Sequence, residues 1–251
     1  MSGHSHWATI KRKKGAADAK KGKIFTRLAR EIVIAAREGG GDPTMNVRLG
    51  LAIDKSKAAN MPKDSIERAV KRGTGEDKEG AKFEEILYEG YAPNGVALMI
   101  ECVTENRNRT VAELRHILTR SGGSMGDPGS VSWQFDRLTY FAISSEGNDF
   151  DQIFELAVEA GADDIKQDDE LIEIFGTPNS FQDIADHLNK SNIKPDESGI
   201  RFLPKQEISL DAEHTVKVMK VIESLEELDD VQNIDSNLDI TEEAIQFMEN
   251  S

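Results

Sequence analysis

Ten cations stand in the first forty residues: Lys11-Arg12-Lys13-Lys14, then Lys20, Lys21 and Lys23, then Arg27, Arg30 and Arg37. Only Asp18, Glu31 and Glu38 oppose them. Closely spaced ammonium and guanidinium groups do one kind of chemistry well: they replace the counterions along a polyanion such as a nucleic-acid backbone. The whole chain is acidic, at a net charge of -15, so this segment is a local departure from its own composition. Residues 1–72 hold 17 Lys and Arg against 7 Asp and Glu, whereas residues 73–251 hold 14 against 39. The basic end would attract nucleic acid while the acidic remainder repels it, which confines binding to one end and makes it weaken with salt. The alternative is a solvated lysine-rich tail. Trp7 adds a ring that could stack on a base or sugar, or else fold back as an anchor on the first domain.

A second cluster, Asn106-Arg107-Asn108-Arg109-Thr110, falls at the start of an expected helix, with Arg115 one or two turns on. Arginines there oppose the positive end of the helix dipole, at roughly 0.3 to 1 kcal/mol each when exposed. An anion would offset that cost, and free N–H groups with Arg107 and Arg109 would form a phosphate site. Pairing with local acids such as Glu105 or Glu101 is the other reading.

Other chemistries find little support. The loop Gly122-Gly123-Ser124-Met125-Gly126-Asp127-Pro128-Gly129 follows a helix and precedes a strand, the reverse of the order a phosphate cradle requires, and reads as a connector. Asp163, Asp164, Asp168, Asp169 and Glu170 lack the spacing and central glycine of a calcium loop. His4 and His6 have no nearby ligands to complete a metal site, and His116, His187 and His214 stand in no catalytic motif. Cys102 lies inside an apolar run, and a lone cysteine builds neither a disulfide nor a thiolate cage; it suits a reducing cytoplasm. The longest apolar runs, Ile32 to Ala36 and Val96 to Ile100, are far short of a bilayer span. The expectation is a cytoplasmic, non-enzymatic protein without metal, cofactor or membrane segment.

The elements that must position these cations follow from periodicity. After a basic arm, 1–19, helical spacing begins: Ile24, Leu28, Ile32 and Ala35 mark an apolar face, and Lys20, Lys23, Arg27 and Arg30 a neighbouring cationic one. Gly39-Gly40-Gly41-Asp42-Pro43 ends that helix, and the next is expected to start with Asp42 as N-cap and Pro43 at its first position. Pro62 to Arg72 is a third helix, so 20–75 reads as a three-helix domain, followed by the linker Gly73 to Gly80. Glu85 to Tyr91 and Val96 to Val103 read as strands joined through Asn94-Gly95. A helix over 108–121 and a strand over Val131–Phe135 complete ββαβ. Residues 137–204 read as βαββαβ, the ferredoxin-like plan. Ile208 to Leu210, a helix through Val218 to Leu228, and Val231 to Ile234 could complete the first sheet. The middle unit is then an insertion, and the second domain comprises 81–136 plus 205–240. The fold class is multidomain α+β.

The segments GHSHWATIKRKKGAADAKKGKIFTRLAREI, GGGDP, AIDKSKAANMPKDSIERAVKRGTG, ILYEGYAPNGVALMIECVTENRNRT and GGSMGDPGSV resemble the YebC family of probable transcriptional regulatory proteins. The resemblance covers nearly the whole chain and is strongest from Gly3 to Phe135, although the family's usual lysine is His6 here. It implies three domains, the third inserted into the second, and a cytoplasmic DNA-binding regulator. Relatives that include a mitochondrial translational activator imply the alternative, a ribosome-associated factor that relieves stalled translation. Duplex DNA and ribosomal RNA are thus both expected ligands, with a protein partner in the transcription machinery or the ribosome. In either case the expected contacts are Trp7, Lys11, Arg12, Lys13, Lys14, Lys20, Lys21, Lys23, Arg27, Arg30, Arg107, Arg109 and Arg115.

Overall fold

The computed structural model describes residues 19–76, 83–168 and 170–249. Helix α1 spans Ala19–Gly39, α2 Val47–Ala58 and α3 Lys63–Gly73. In the second half of α1 the whole run Ile32 to Ala36 is buried, so apolar neighbours enclose the helix there; Ile24, nearer its start, is exposed. Gly40 ends α1 by taking φ +84, a left-handed turn that a side chain would resist, and its N–H reaches the Ala36 carbonyl at 3.0 Å. At Gly73 the constraint is space. A Cβ there would lie 2.5 Å from the Val33 carbonyl oxygen and 2.6 Å from the Ala36 Cβ, so a glycine lets α3 approach α1.

The start of α2 departs from expectation. Asp42 does not cap it; the Asp42 carboxylate accepts from the Thr44 N–H and hydroxyl at 2.9 and 2.7 Å, making a turn that holds Pro43 outside the helix. Asn46 is the cap. Its Oδ1 accepts from the Leu49 N–H at 3.0 Å, while its Nδ2 donates to the Ala35 and Gly40 carbonyls at 2.8 Å each, fastening the end of one helix to the start of the next. Asn46→Ala should destabilise this bundle by about 2 kcal/mol, from a lost cap and the loss of both Nδ2 hydrogen bonds, the one to Ala35 being buried, as measured by chemical denaturation.

In the first sheet, strand β1 (Glu84–Tyr91) pairs antiparallel with β2 (Ala97–Thr104), Tyr91 opposite Ala97, across a turn in which Asn94 and Gly95 take φ 63 and 78. The short β3 (Ser124–Met125) borders β1, and β9 (Val231–Ser236) borders β2, giving the order β3-β1-β2-β9. Helices α4 (Arg107–Arg120) and α7 (Ala212–Glu226) bury Leu114, Leu118, Val218, Ile222 and Leu225 in one core with Leu98, Ile100 and Cys102 of β2.

Two strand expectations are corrected. Residues 131–134 are not a strand: the N–H groups of Val131 and Ser132 donate to a side chain, and Ser132–Gln134 is a 3-10 turn that leads into β4 (Phe135–Ser144). Segment β8 (Ile208–Ser209) does not join the first sheet but pairs in parallel with β10 (Leu238–Asp239). Helix α8 (Glu242–Glu249) follows.

Residues 136–203 form a separate compact unit. Its helices are α5 (Phe150–Glu159) and α6 (Phe181–Lys190). With β4 it has β5 (Asp164–Gln167), β6 (Leu171–Gly176) and β7 (Glu197–Pro204), in the sheet order β5-β6-β4-β7, the ferredoxin-like arrangement. Ile143, Ile153, Ile172, Ile174 and Ile184 are all fully buried, and Phe141 stacks on Phe181 with ring centroids 5.1 Å apart. The α+β class expected from the sequence is the class observed.

Candidate nucleic-acid interface

Trp7 and Lys11, Arg12, Lys13 and Lys14 lie outside the described residues, as do His4, His6, Asp169 and 77–82. Lys20 and Lys21 fall within the first turn of α1.

The next cations along α1 turn toward protein. Lys23 Nζ donates to the Glu227 carbonyl at 3.1 Å, and the guanidinium groups of Arg27 and Arg30 donate to the carbonyls of Glu226 and Asp229. Those carbonyls stand at and just beyond the C-terminus of α7, where a helix leaves acceptors unsatisfied and carries partial negative charge. The spacing of three and four that aligned these residues in the sequence brings all three to one helix end.

Beside that contact Asp230 is 2% exposed and gathers four donors. Arg30 Nη2 lies 2.9 Å from its carboxylate, Arg109 Nη2 is 2.9 Å from both oxygens, and the hydroxyls of Thr104 and Thr110 approach to 3.0 and 2.6 Å. Burial pushes the Asp230 carboxyl up, but the hydroxyl and guanidinium donors and the Arg30 charge outweigh it and hold the group below the usual carboxylate range. The expected phosphate site at the start of α4 is thus largely filled from within. Arg109 faces Asp230, the Asn106 side chain accepts the Arg109 N–H at 3.1 Å, and Arg107 pairs with Glu84 while staying mostly exposed.

Further along α4 the cations face outward. Arg115, His116 and Arg120 are exposed, and their side chains make no ion pair or hydrogen bond with any described residue. With Ala112 and Thr119 they line a shallow depression of about 450 Å³.

The last glycine of the glycine-rich loop and the residues just after it hold an anion, and it is one of this chain's own. Glu89 of β1, 7% exposed, accepts from the N–H groups of Gly129, Val131 and Ser132 at 2.7, 2.6 and 2.9 Å. Burial raises its pKa, and the three backbone donors more than reverse this, leaving it below the ordinary value. Burial also pushes the Cys102 thiol up to about 12, with the charges of Asp230 and Glu101 adding to the effect, which makes it a poor nucleophile. Among the described residues no group of three or more His, Cys, Asp or Glu is placed to hold a metal ion, and no helix is long and apolar enough to cross a membrane.

A groove that the sequence reading missed lies between α1 and α3. It measures about 560 Å³, with Phe25, Met61 and Phe83 among its apolar walls and Arg68, Arg72 and Glu105 among its charged ones. The guanidinium groups of Arg72 and Arg30 lie 4.4 and 5.4 Å from the centre of the Phe83 ring. The available signal was Arg68 and Arg72 at i, i+4, which puts both on one face of α3.

Comparison with known proteins agrees with this architecture. Residues 5–76 match the family model described as the TACO1/YebC protein N-terminal domain, and residues 83–238 match that described as the TACO1/YebC second and third domain. A protein of Trichlorobacter lovleyi named "Probable transcriptional regulatory protein" is 49% identical over 248 residues, covering 99% of this chain and 100% of its own. A protein of Borrelia turicatae with the same descriptive name is 49% identical over 243 residues, covering 97% and 99%. The crystal structure of a conserved hypothetical protein from Aquifex aeolicus superposes with a TM-score of 0.82 at 42% identity, over 91% of this chain and 94% of that one. Matched by family models over most of its length and by relatives from end to end, this chain belongs to the TACO1/YebC family.

Proposed function

We propose that this protein is a non-enzymatic, cytoplasmic nucleic-acid-binding regulator. Its contacts would be the basic arm, with Trp7 and Lys11 to Lys14 followed by Lys20 and Lys21, together with Arg107 and the outward cations of α4 that include Arg115. The observation that carries this reading is the charge division: 17 Lys and Arg against 7 Asp and Glu in residues 1–72 of a chain whose net charge is -15. The names of the relatives support a regulator of transcription, and for that role we propose duplex DNA as the ligand.

A second reading, a ribosome-associated factor bound to ribosomal RNA, fits the inward turn of Arg27 and Arg30 equally well. With those side chains engaged on α7, the exposed face of α1 offers little to read base edges in a major groove. Binding driven by backbone contacts suits RNA as well as DNA.

The test is a salt titration of binding to a DNA duplex and to a ribosomal RNA fragment. Charge reversal at Lys11 to Lys14 alone should flatten the slope of log K against log salt by roughly 0.9 per lost duplex contact, or about 3 to 4 in all, without altering the melting curve. An unchanged slope would remove the arm from the interface. Lys23, Arg27 and Arg30 are unsuitable for this test because they hold α7. Crosslinking in growing cells, with attached DNA and RNA sequenced separately, then assigns the ligand: discrete promoter segments for the first reading, one region of ribosomal RNA for the second.

A further inference from the structure

We propose that the groove between α1 and α3 receives a single unpaired nucleotide of the bound nucleic acid, an inference that rests on the nucleic-acid reading and narrows it. Three features argue for this occupant. The size, about 560 Å³, is in the range of small-ligand pockets and accommodates one base with its sugar, but not a duplex. The walls divide by chemistry. Phe25, half-buried, and Met61, 7% exposed, offer apolar and polarisable surface to a flat ring, and the guanidinium of Arg72 extends this surface beside Phe83. At the mouth, the exposed guanidinium of Arg68 is steadied by the Asp64 carbonyl and the Ser65 hydroxyl, each at 3.2 Å, and supplies a cation for the adjoining phosphate.

Charge selects against other occupants. Of the arginines that line the groove, Arg30 is paired with Asp230 and Arg72 with Glu105, which leaves Arg68 as the cation of the rim; the chain's own basic arm would bring further cations to it, whereas a nucleotide brings one negative charge beside a neutral ring. Glu105, exposed on the same rim, has one carboxylate oxygen 3.9 Å from the Arg72 guanidinium and can accept from an exocyclic amino group with the other, which favours adenine, cytosine or guanine over thymine or uracil.

The experiment compares three forms of one oligonucleotide duplex at fixed salt: fully paired, with a single unpaired adenosine, and with an abasic residue at that position. It is run in DNA and in RNA with the full-length chain. Wild-type protein should bind the form carrying the unpaired adenosine about tenfold more tightly than the paired form in at least one polymer, and the abasic form should lose that gain. Arg68→Gln and Phe25→Ala should each bring the ratio close to one. Arg68 is exposed, so its variant leaves the core untouched, and a melting curve verifies folding of both. Measurable duplex binding with a wild-type ratio of one in both polymers would overturn the groove assignment while leaving the nucleic-acid reading in place. Absence of binding to every form in both polymers would overturn the two together.

Discussion

Asp230→Ala should destabilise the unit that contains α1 and the first sheet by about 3 to 5 kcal/mol. Most of the cost comes from the partners that the missing carboxylate strands. Arg30 is 8% exposed, its Nε has no hydrogen-bond partner, and without Asp230 its charge would stay buried with the Asp229 carbonyl and the face of Phe83 to receive it but no carboxylate. The Thr104 hydroxyl would lose its acceptor at the same time, while the Thr110 hydroxyl would fall back on the Asn106 carbonyl at 3.1 Å. Asp230→Asn keeps the shape and part of the hydrogen bonding and should cost less. In a double-mutant cycle, adding Arg30→Met to Asp230→Ala should recover a large part of the loss, because the stranded charge is gone. Independent single-mutant effects would show that the pair is not coupled. The pH dependence has a definite sign. A carboxyl whose pKa is lower in the folded than in the unfolded chain contributes stability above its unfolded value, near 4, and that contribution disappears as pH falls through the folded value. Acid denaturation of the wild type should therefore draw on Asp230, and the pH profile of Asp230→Ala should be flatter in that range.

Glu89→Ala is expected to cost about 3 kcal/mol, with the effect concentrated in the loop that β1 supports. Three backbone N–H groups, of Gly129, Val131 and Ser132, converge on one carboxylate, and hydrogen bonds to a charged acceptor are worth more than neutral ones. Removing it leaves three donors aimed at the same void. Hydrogen exchange should accelerate at residues 129–132 well beyond the change at β2, and equal acceleration throughout would indicate global weakening instead. Glu89→Gln keeps one acceptor oxygen but places an amide NH2 among donors, so it should rescue only in part. Glu89 shares the sign of Asp230: its contribution is present above the unfolded pKa and is lost on acidification.

These two residues also mark where sequence reading reaches its limit. Local signals are dependable: Asn94-Gly95 makes the turn between β1 and β2, α1 and α3 end at their glycines, and α2 ends just before Asn60, which takes φ 61 ahead of Pro62. Arginines at the start of α4 correctly imply a nearby anion. Periodicity has no means of showing that the anion is Asp230, 121 residues from Arg109, rather than a phosphate. The order of elements around the glycine-rich loop argues against a phosphate cradle, yet the N–H groups of its last glycine and of Val131 and Ser132 converge on an anion, from a strand 40 residues before Gly129. The same long-range contact explains why residues 131–134 are not part of the expected strand, which begins only at Phe135: N–H groups given to Glu89 cannot pair with another strand. At Asp42 a side chain has two local options, a helix cap or a turn with Thr44, and the turn leaves Asn46 to bridge two helices. The cationic row on α1 is legible as a row, and its destination on α7 is not.

The position of β9 in the chain carries a consequence for synthesis on the ribosome. Strand β2 is complete at Thr104, but the strand that covers its open edge begins next to Asp230, 126 residues later. Until that segment emerges, the nascent chain carries an unpaired, largely apolar edge of the kind that recruits other strands. Residues 136–203 have their own buried core and can fold in the interval, shortening the effective separation between β2 and β9 and reducing the entropy of closing the sheet. The inserted unit thereby acts as a folded spacer that brings the two edges of its host within reach.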